Sequence, residues 1–255
     1  MLFDSHAHYN DDRFLADRDE VLSCMKDNNV GLIMNACSSV SEINDIIEMV
    51  EKYPFIYGSV GVHPHEAGGM CDKDIDILRK YALHDKIKAI GEIGLDYYYD
   101  NSPRDVQKKW FARQIELAKE LDMPIIIHDR DAHADTMDIL KACSANECGG
   151  VFHCYSGSAE MAKEILNMGL YIAFGGSLTF KNANKPKEAA KYVPLDRILL
   201  ETDCPYLAPE PFRGRRNSSL FMYRVAEDIA AIKGVSVDEV EKITFENAKK
   251  CFRID

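Results

Sequence analysis

Eight short apolar runs recur along the chain, and segments with helical spacing separate them. The runs are rich in β-branched residues and end at turn residues or at polar residues, as buried parallel strands do. They span residues 2–3, 31–36, 55–62, 87–93, 124–128, 150–153, 170–174 and 197–201. Strand followed by helix, eight times within 255 residues, predicts an α/β fold of the (β/α)8 TIM-type barrel class.

Apolar residues at helical spacing lie between these runs. The stripes are Ile43, Ile46, Ile47 and Val50; Phe111, Ile115, Ala118 and Leu121; and Met161, Ile165 and Met168. Ser39 with Glu42 has the spacing of a capping box, which predicts the start of the first of these helices. Ser236 with Glu239 predicts a second capped start, for a last helix that runs through Ala248.

An open doubly wound sheet has the same alternation and is the alternative architecture. No Gly-x-Gly-x-x-Gly motif follows any predicted strand, which weakens the dinucleotide-binding version of that fold. No Pro-, Gly- or Ser-rich linker and no shift in composition divides the chain. The sequence therefore predicts a single domain over residues 1–255.

The net charge of −11 argues against a protein that coats nucleic acid through bulk charge, although a local basic rim stays compatible with it. No apolar run approaches the roughly 20 residues of a membrane span. The N-terminus lacks the basic and apolar regions of a secretory signal, and the eight cysteines form no Cys-x-x-Cys pair. We therefore expect a cytoplasmic protein with no membrane partner, and we take it to be a monomer.

Two histidines follow the first apolar run. His6 and His8 are two residues apart, and such residues point to the same face of a strand. Asp4 shares that face. Two imidazoles on one face can chelate a metal ion, although a solvated polar N-terminus has the same pattern.

Four later strand ends carry a histidine or a carboxylate, namely Glu92, His128, His153 and Asp203. Each alone is compatible with a hydrogen-bonded core histidine or a helix-capping acid. In a barrel, however, the carboxyl ends of all strands meet at one mouth, where active sites lie. With the first two histidines, the groups exceed the four ligands of one structural zinc ion. The pattern therefore predicts a hydrolytic two-metal site bridged by a carboxylate.

Longer motifs surround these residues. They are Asp4-Ser5-His6-Ala7-His8, Gly61-Val62-His63-Pro64-His65, Gly91-Glu92-Ile93-Gly94-Leu95-Asp96-Tyr97, His128-Asp129-Arg130-Asp131-Ala132, His153-Cys154-Tyr155-Ser156-Gly157, Thr179-Phe180-Lys181-Asn182 and Glu201-Thr202-Asp203-Cys204-Pro205-Tyr206-Leu207. With these motifs the chain resembles the TatD family of metal-dependent hydrolases, among the amidohydrolase-like barrels. The motifs run in order to beyond residue 200, so the resemblance covers nearly the whole chain.

The resemblance implies two divalent ions (magnesium, manganese or zinc) and a deoxyribonuclease that removes nucleotides from 3′ ends. The implied ligands are His6, His8 and Asp203 for one ion, His128 and His153 for the other, and Glu92 as the bridge. The implied catalytic residues are Glu92 and Asp203, of which Asp203 would accept a proton from water or hold the water in line.

Substrate contacts are predicted around the mouth. His63 and His65 follow the third run, where they are either phosphate contacts or loop histidines bonded to backbone. Arg130 shares the strand-end face of His128, so it either grips a phosphate or anchors Glu92 or Asp135.

Three further features of the mouth are less specific. Arg213 opens a basic segment, 213–216, that either attracts a phosphate backbone or is simply a solvated loop. Ser218-Ser219 follows it where relatives commonly carry Glu-Pro. This departure predicts a longer or looser loop. Tyr97 and its two tyrosine neighbours are either a base-stacking cluster or a packed loop, and Asp135 is predicted to orient a ligand histidine.

Three functional hypotheses follow. The first is a 3′–5′ exodeoxyribonuclease or phosphodiesterase that acts on DNA ends or short single-stranded nucleic acid. The second is a small-molecule amidohydrolase or esterase on the same metal pair, which the acidic net charge favours. The third, a non-catalytic metal-binding scaffold, is disfavoured because every implied ligand is present.

Overall fold

A computed structural model describes all 255 residues. Eight parallel strands form one sheet in the order in which they occur along the chain. They are β1 (Leu2–Ala7), β2 (Val30–Asn35), β3 (Ile56–Val60), β4 (Ile87–Asp96), β5 (Ile125–Arg130), β6 (Gly150–Phe152), β7 (Tyr171–Phe174) and β8 (Ile198–Leu200). Each overlaps one of the eight apolar runs, so the predicted (β/α)8 barrel is confirmed.

The first and last strands meet at their carboxyl ends. Ala7 and Cys204 form a parallel bridge, and the His8 N–H donates to the Cys204 carbonyl at 2.8 Å. The Asp203 N–H donates to the His6 carbonyl at 2.9 Å. These bonds bring the residues that follow β8 against the end of β1. They thereby complete the ring of strands around the mouth of the barrel.

Nine α-helices surround the sheet. They are α1 (Arg18–Ser23), α2 (Ile43–Lys52), α3 (Asp72–Ala82), α4 (Arg104–Glu120), α5 (His133–Ala142), α6 (Ala159–Asn167), α7 (Asn184–Tyr192), α8 (Met222–Lys233) and α9 (Val237–Cys251). The predicted apolar stripes lie on α2, α4 and α6. None of the helices is long and apolar enough to cross a membrane.

One predicted cap forms and the other does not. The Ser236 hydroxyl accepts from the Glu239 N–H at 3.2 Å and caps α9, as predicted. The capping box of Ser39 and Glu42 is wrong, because a short 3₁₀ turn precedes α2. Glu42 instead accepts from the Ser38 N–H at 3.0 Å, while the Ser39 hydroxyl pairs with that of Ser41.

The amino end of the barrel is filled with apolar side chains. A cluster of 11 buried residues takes one side chain from each of seven strands, and the end of α9 and the C-terminal residues pack against it. The Phe3 ring lies 6.0 Å from the rings of both Phe245 and Phe252. The histidines and carboxylates singled out in the sequence lie instead at the carboxyl end of the sheet, where the loops are free to vary.

Asp4 lies below the mouth and joins β1 to the segments after β8. Its buried carboxylate accepts from the Thr202 N–H at 2.9 Å, the Thr202 hydroxyl at 2.6 Å and the Ser219 hydroxyl at 2.6 Å. Burial raises the pKa of the Asp4 carboxyl to about 7 despite these bonds. The same bonds correct the expected looseness at Ser218–Ser219, because both serines are buried and Ser219 is anchored.

Replacing Asp4 by alanine should lower the free energy of unfolding by about 3 kcal/mol, because several buried donors lose their acceptor. Urea denaturation in the presence of EDTA measures this change without a contribution from bound ions. Asp12→Ala is the control, because Asp12 is an exposed aspartate in the turn that follows β1. Equal stability of the two variants would contradict the structural role of Asp4.

Candidate metal centre

The structure brings the six predicted ligands together at the carboxyl ends of the strands. One group, which we name cluster A, contains the Nε2 atoms of His6 and His8, Oδ1 of Asp203 and Oε2 of Glu92. His6 Nε2 lies 3.0 Å from His8 Nε2 and 3.3 Å from the Glu92 oxygen. Asp203 Oδ1 lies 3.8 Å from His6 and 3.5 Å from His8.

A second group, cluster B, contains the other carboxylate oxygen of Glu92. Glu92 Oε1 lies 2.7 Å from His128 Nδ1 and 2.8 Å from His153 Nε2. The two histidine nitrogens are 3.4 Å apart. His63 Nε2, which was predicted as a substrate contact, lies 3.6 Å from the same oxygen. The structure thus adds a fourth donor atom to cluster B.

Glu92 is the residue that the two clusters share. It is 3% exposed, and it lies within β4 at the point where β3 and β4 approach closely. A Cβ at Gly61 would lie 2.7 Å from the Gly91 backbone, and a Cβ at Gly91 would lie 2.6 Å from Ile126. Glycine at both positions therefore lets the strands seat the carboxylate at the centre of the mouth.

The charge on Glu92 is stabilised by its neighbours. Burial alone would raise the pKa of this carboxyl, but the surrounding imidazoles of His153, His6 and His63 and a hydrogen bond from His128 hold it well below its usual range. The carboxylate is therefore ionised and directs one oxygen into each cluster.

The donor atoms suit divalent ions. Ligands at 2.0–2.1 Å from one tetrahedral ion are roughly 3.3 Å apart, and the separations in cluster A bracket that distance. In cluster A the Nε2 atoms of His6 and His8 face each other at 3.0 Å, and the buried Nδ1 of His6 has no hydrogen-bond partner. Two imidazole nitrogens turned toward one point are typical of a pair that chelates an ion. The residues present fit metal ligation, and their role as ligands stays a prediction.

Asp96, rather than Asp135, orients a histidine of the site. Asp96 Oδ2 lies 3.2 Å from His128 Nε2 and 3.0 Å from His65 Nε2, which turns His128 Nδ1 toward Glu92. The prediction for Asp135 is wrong, because this carboxylate pairs with the Lys108 ammonium and the Tyr97 hydroxyl at 2.6 Å each.

Glu201 is a second residue that sequence reasoning missed. It is fully buried, and its Oε1 accepts from the Cys154 N–H at 2.7 Å and faces His153 Nδ1 at 3.4 Å. It therefore lies behind the ring of His153, on the side opposite Glu92. The signal was present in the sequence, because both Glu201 and Asp96 end a predicted strand or continue a motif that contains a ligand.

The predicted substrate residues occupy different environments. His65 lies on the rim and contacts the Asp96 carboxylate. His63 is buried, and burial together with the neighbouring His128 holds the pKa of His63 well below the usual range. Arg130 anchors neither Glu92 nor Asp135. Its guanidinium carbon lies 4.1 Å from the centroid of the Tyr98 ring and 4.9 Å from that of Tyr99.

The basic segment 213–216 is partly occupied by structural contacts. Arg213 stacks on Phe180 at 4.3 Å and is exposed. Arg216 pairs with Asp17 at 2.6 Å, so its charge is already neutralised. Of the arginines in this segment, Arg213 therefore stays available to a phosphate and Arg216 does not.

A parallel barrel with shared carboxylate and imidazole clusters at its mouth defines a metal-dependent hydrolase. Comparison with known proteins agrees. The family described as TatD related DNase matches residues 3–253. The chain belongs to this TatD family of metal-dependent hydrolases.

Individual relatives span its full length. The metal-dependent hydrolase YabD of Bacillus subtilis is 48% identical over 100% of both chains. The 3′-5′ ssDNA/RNA exonuclease TatD of Dickeya dadantii is 32% identical over 99% of this chain and 98% of its own. The crystal structure of the TatD homologue YJJV from Escherichia coli is 27% identical, with a TM-score of 0.94 over 100% of this chain and 98% of that one.

Asp96→Asn should lower the affinity of cluster B for zinc or manganese by roughly 10- to 100-fold, because His128 loses the anion that orients its ring. Titration of the metal-free protein in competition with a chelating dye measures this affinity. Asp135→Asn removes a nearby carboxylate that faces no histidine of the site, and it should bind metal as the unmodified protein does. Equal losses in both variants would contradict the role of Asp96.

Proposed function

We propose that this protein is a cytoplasmic, monomeric 3′–5′ exonuclease that hydrolyses phosphodiesters at the ends of single-stranded nucleic acid, DNA in particular. The observation that carries the proposal is the carboxylate of Glu92, which directs one oxygen into each of two donor clusters. Two adjacent cationic sites that share a carboxylate are suited to phosphodiester hydrolysis.

The ligands proposed from the sequence remain the proposed ligands. Cluster A would hold one ion through His6, His8, Asp203 and Glu92, and cluster B the other through Glu92, His128 and His153, with the His63 nitrogen as a further donor. When bound, two divalent ions neutralise a phosphodiester and make water more acidic. Magnesium, manganese and zinc are the candidates.

Asp203 is the proposed general base. Burial raises the pKa of its carboxyl, but a hydrogen bond from His8 and the charges of His153 and His6 lower it below the usual value, so the group is ionised. Its side chain is 17% exposed at the mouth, which leaves it accessible to water. It can therefore accept a proton from a water molecule that attacks phosphorus.

The rim supplies groups that suit a nucleotide strand. Arg130 and Arg213 are exposed and unpaired by carboxylates, so each can contact phosphate oxygens. The relative named as an ssDNA/RNA exonuclease supports the same substrate class. The net charge of −11 supports the second candidate, a small-molecule amidohydrolase or esterase on the same clusters.

Short single-stranded DNA labelled at the 3′ or the 5′ end separates these candidates. Metal-free protein should be inactive, and magnesium, manganese or zinc should restore stepwise loss of nucleotides from the 3′ end, followed on denaturing gels. Protein that has been shown to bind two ions but cleaves no strand with any metal would eliminate the nuclease. Small phosphoesters and amides would then be tested.

Asp203→Asn should lower kcat for this reaction by roughly 100- to 10,000-fold, because it removes the proton acceptor, while cluster B keeps its ion. His128→Ala should lose both activity and metal at cluster B. Kinetics and metal content are measured on the same preparations. His84→Ala is the control, since His84 lies on the surface beside Glu51, and it should change neither quantity.

A further inference from the structure

Three of the five exposed tyrosines border the mouth, and an arginine lies over each of them. Tyr98, Tyr99 and Tyr206 are 59%, 55% and 46% exposed. Arg130 covers the first two, and the Arg13 guanidinium carbon lies 4.1 Å from the centroid of the Tyr206 ring. Exposed aromatic rings are otherwise rare here, so this grouping needs an explanation.

The tyrosines form two platforms on opposite sides of the barrel mouth. The β4 platform consists of Tyr98 and Tyr99, which follow β4, and of Arg130 at the end of β5. The β8 platform consists of Tyr206, which follows β8, and of Arg13, which follows β1. Strands β4 and β8 are four positions apart in either direction around an eight-stranded barrel. The platforms therefore lie on opposite walls of the mouth.

Each platform adjoins one donor cluster. The Tyr206 ring centroid is 6.3 Å from that of His8, a member of cluster A. The Tyr99 ring centroid is 5.3 Å from that of His65, whose neighbour His63 belongs to the edge of cluster B. A molecule centred on Glu92 therefore has an aromatic surface on either side of it.

The β8 platform is held in place before any substrate arrives. The Tyr206 N–H donates to the Asp203 carbonyl at 2.8 Å. This bond holds the backbone of Tyr206 beside that of the proposed base. The Tyr206 hydroxyl donates to Asp11 at 3.2 Å. Asp11 also accepts two bonds from the Arg13 guanidinium, at 2.9 and 2.8 Å, so its charge is balanced where a polyanion would approach.

We propose that Tyr206 with Arg13 is a nucleobase subsite, and that the two platforms hold the bases on either side of the phosphodiester that is cut. This inference rests on the proposed nuclease function. Stacking on an aromatic ring contributes to binding for every base, because every base has a π-face. Bases on opposite walls cannot stack on each other, so the substrate is a single strand of at least two nucleotides, splayed at the cut.

The test uses oligothymidylate in which 5,6-dihydrothymidine replaces the last or the next-to-last nucleotide. This analogue keeps the hydrogen-bonding groups of thymine but has a puckered, non-aromatic ring. With the metal-loaded protein, each replacement should lower kcat/KM about tenfold, within the range of base–aromatic stacking. A nuclease that grips only phosphates would cut all three strands equally.

Double-mutant cycles assign each base to a platform. Tyr206→Ala should lower kcat/KM for oligothymidylate about tenfold and abolish the sensitivity to dihydrothymidine at one of the two positions only. The double variant Tyr98→Ala/Tyr99→Ala should abolish the sensitivity at the other position. Tyr206→Phe should retain the sensitivity, because it keeps the ring.

Tyr192→Ala is the matched control, because Tyr192 is 48% exposed at the far end of α7, away from the mouth. Its kcat/KM on each strand should equal that of the unmodified protein, and the metal content should be equal in all variants. If Tyr206→Ala loses activity equally on modified and unmodified strands, or loses none, the subsite is overturned. If the unmodified protein cuts no single strand at all, the proposed function fails instead.

Discussion

The arrangement of the mouth depends on one buried carboxylate surrounded by imidazoles. Glu92 is ionised although its side chain is buried, and its two oxygens face different groups of histidines. An isolated charge in that position would be strongly destabilising. The histidines in turn would repel one another if protonated without it. Each half of the arrangement therefore requires the other, and strands β1, β4, β5 and β6 are tied to a common centre.

A second buried carboxylate supports the first. Asp4 lies beneath the histidines of β1 and holds the segment after β8, so the barrel closes at the point where Asp203 enters cluster A. Asp96 contacts the His128 ring from behind, and Glu201 lies behind the ring of His153. The site thus has the potential metal-ligand atoms at its centre and supporting carboxylates around them. Strand ends, rather than long loops, position both sets.

Much of this could be predicted from the sequence, since strand ends of a barrel converge whatever the details of packing. All eight strands and the grouping of the six proposed ligands follow from that rule. The supporting carboxylates do not, because which imidazole nitrogen a carboxylate faces depends on local geometry. Asp135 has a suitable sequence position, but α5 directs it toward Lys108. The cap at Ser39 failed for a similar reason, since a 3₁₀ turn redirects Glu42.

The apolar plug at the amino end of the barrel limits how the centre exchanges molecules. Because side chains from seven strands and the end of α9 fill that end, the passage to Glu92 is open only at the carboxyl end of the barrel. Whatever reaches the clusters leaves by the opening through which it came. A polymer cannot be threaded through the barrel, so each product has to vacate the mouth before the next unit occupies it, and product and substrate compete for the same space.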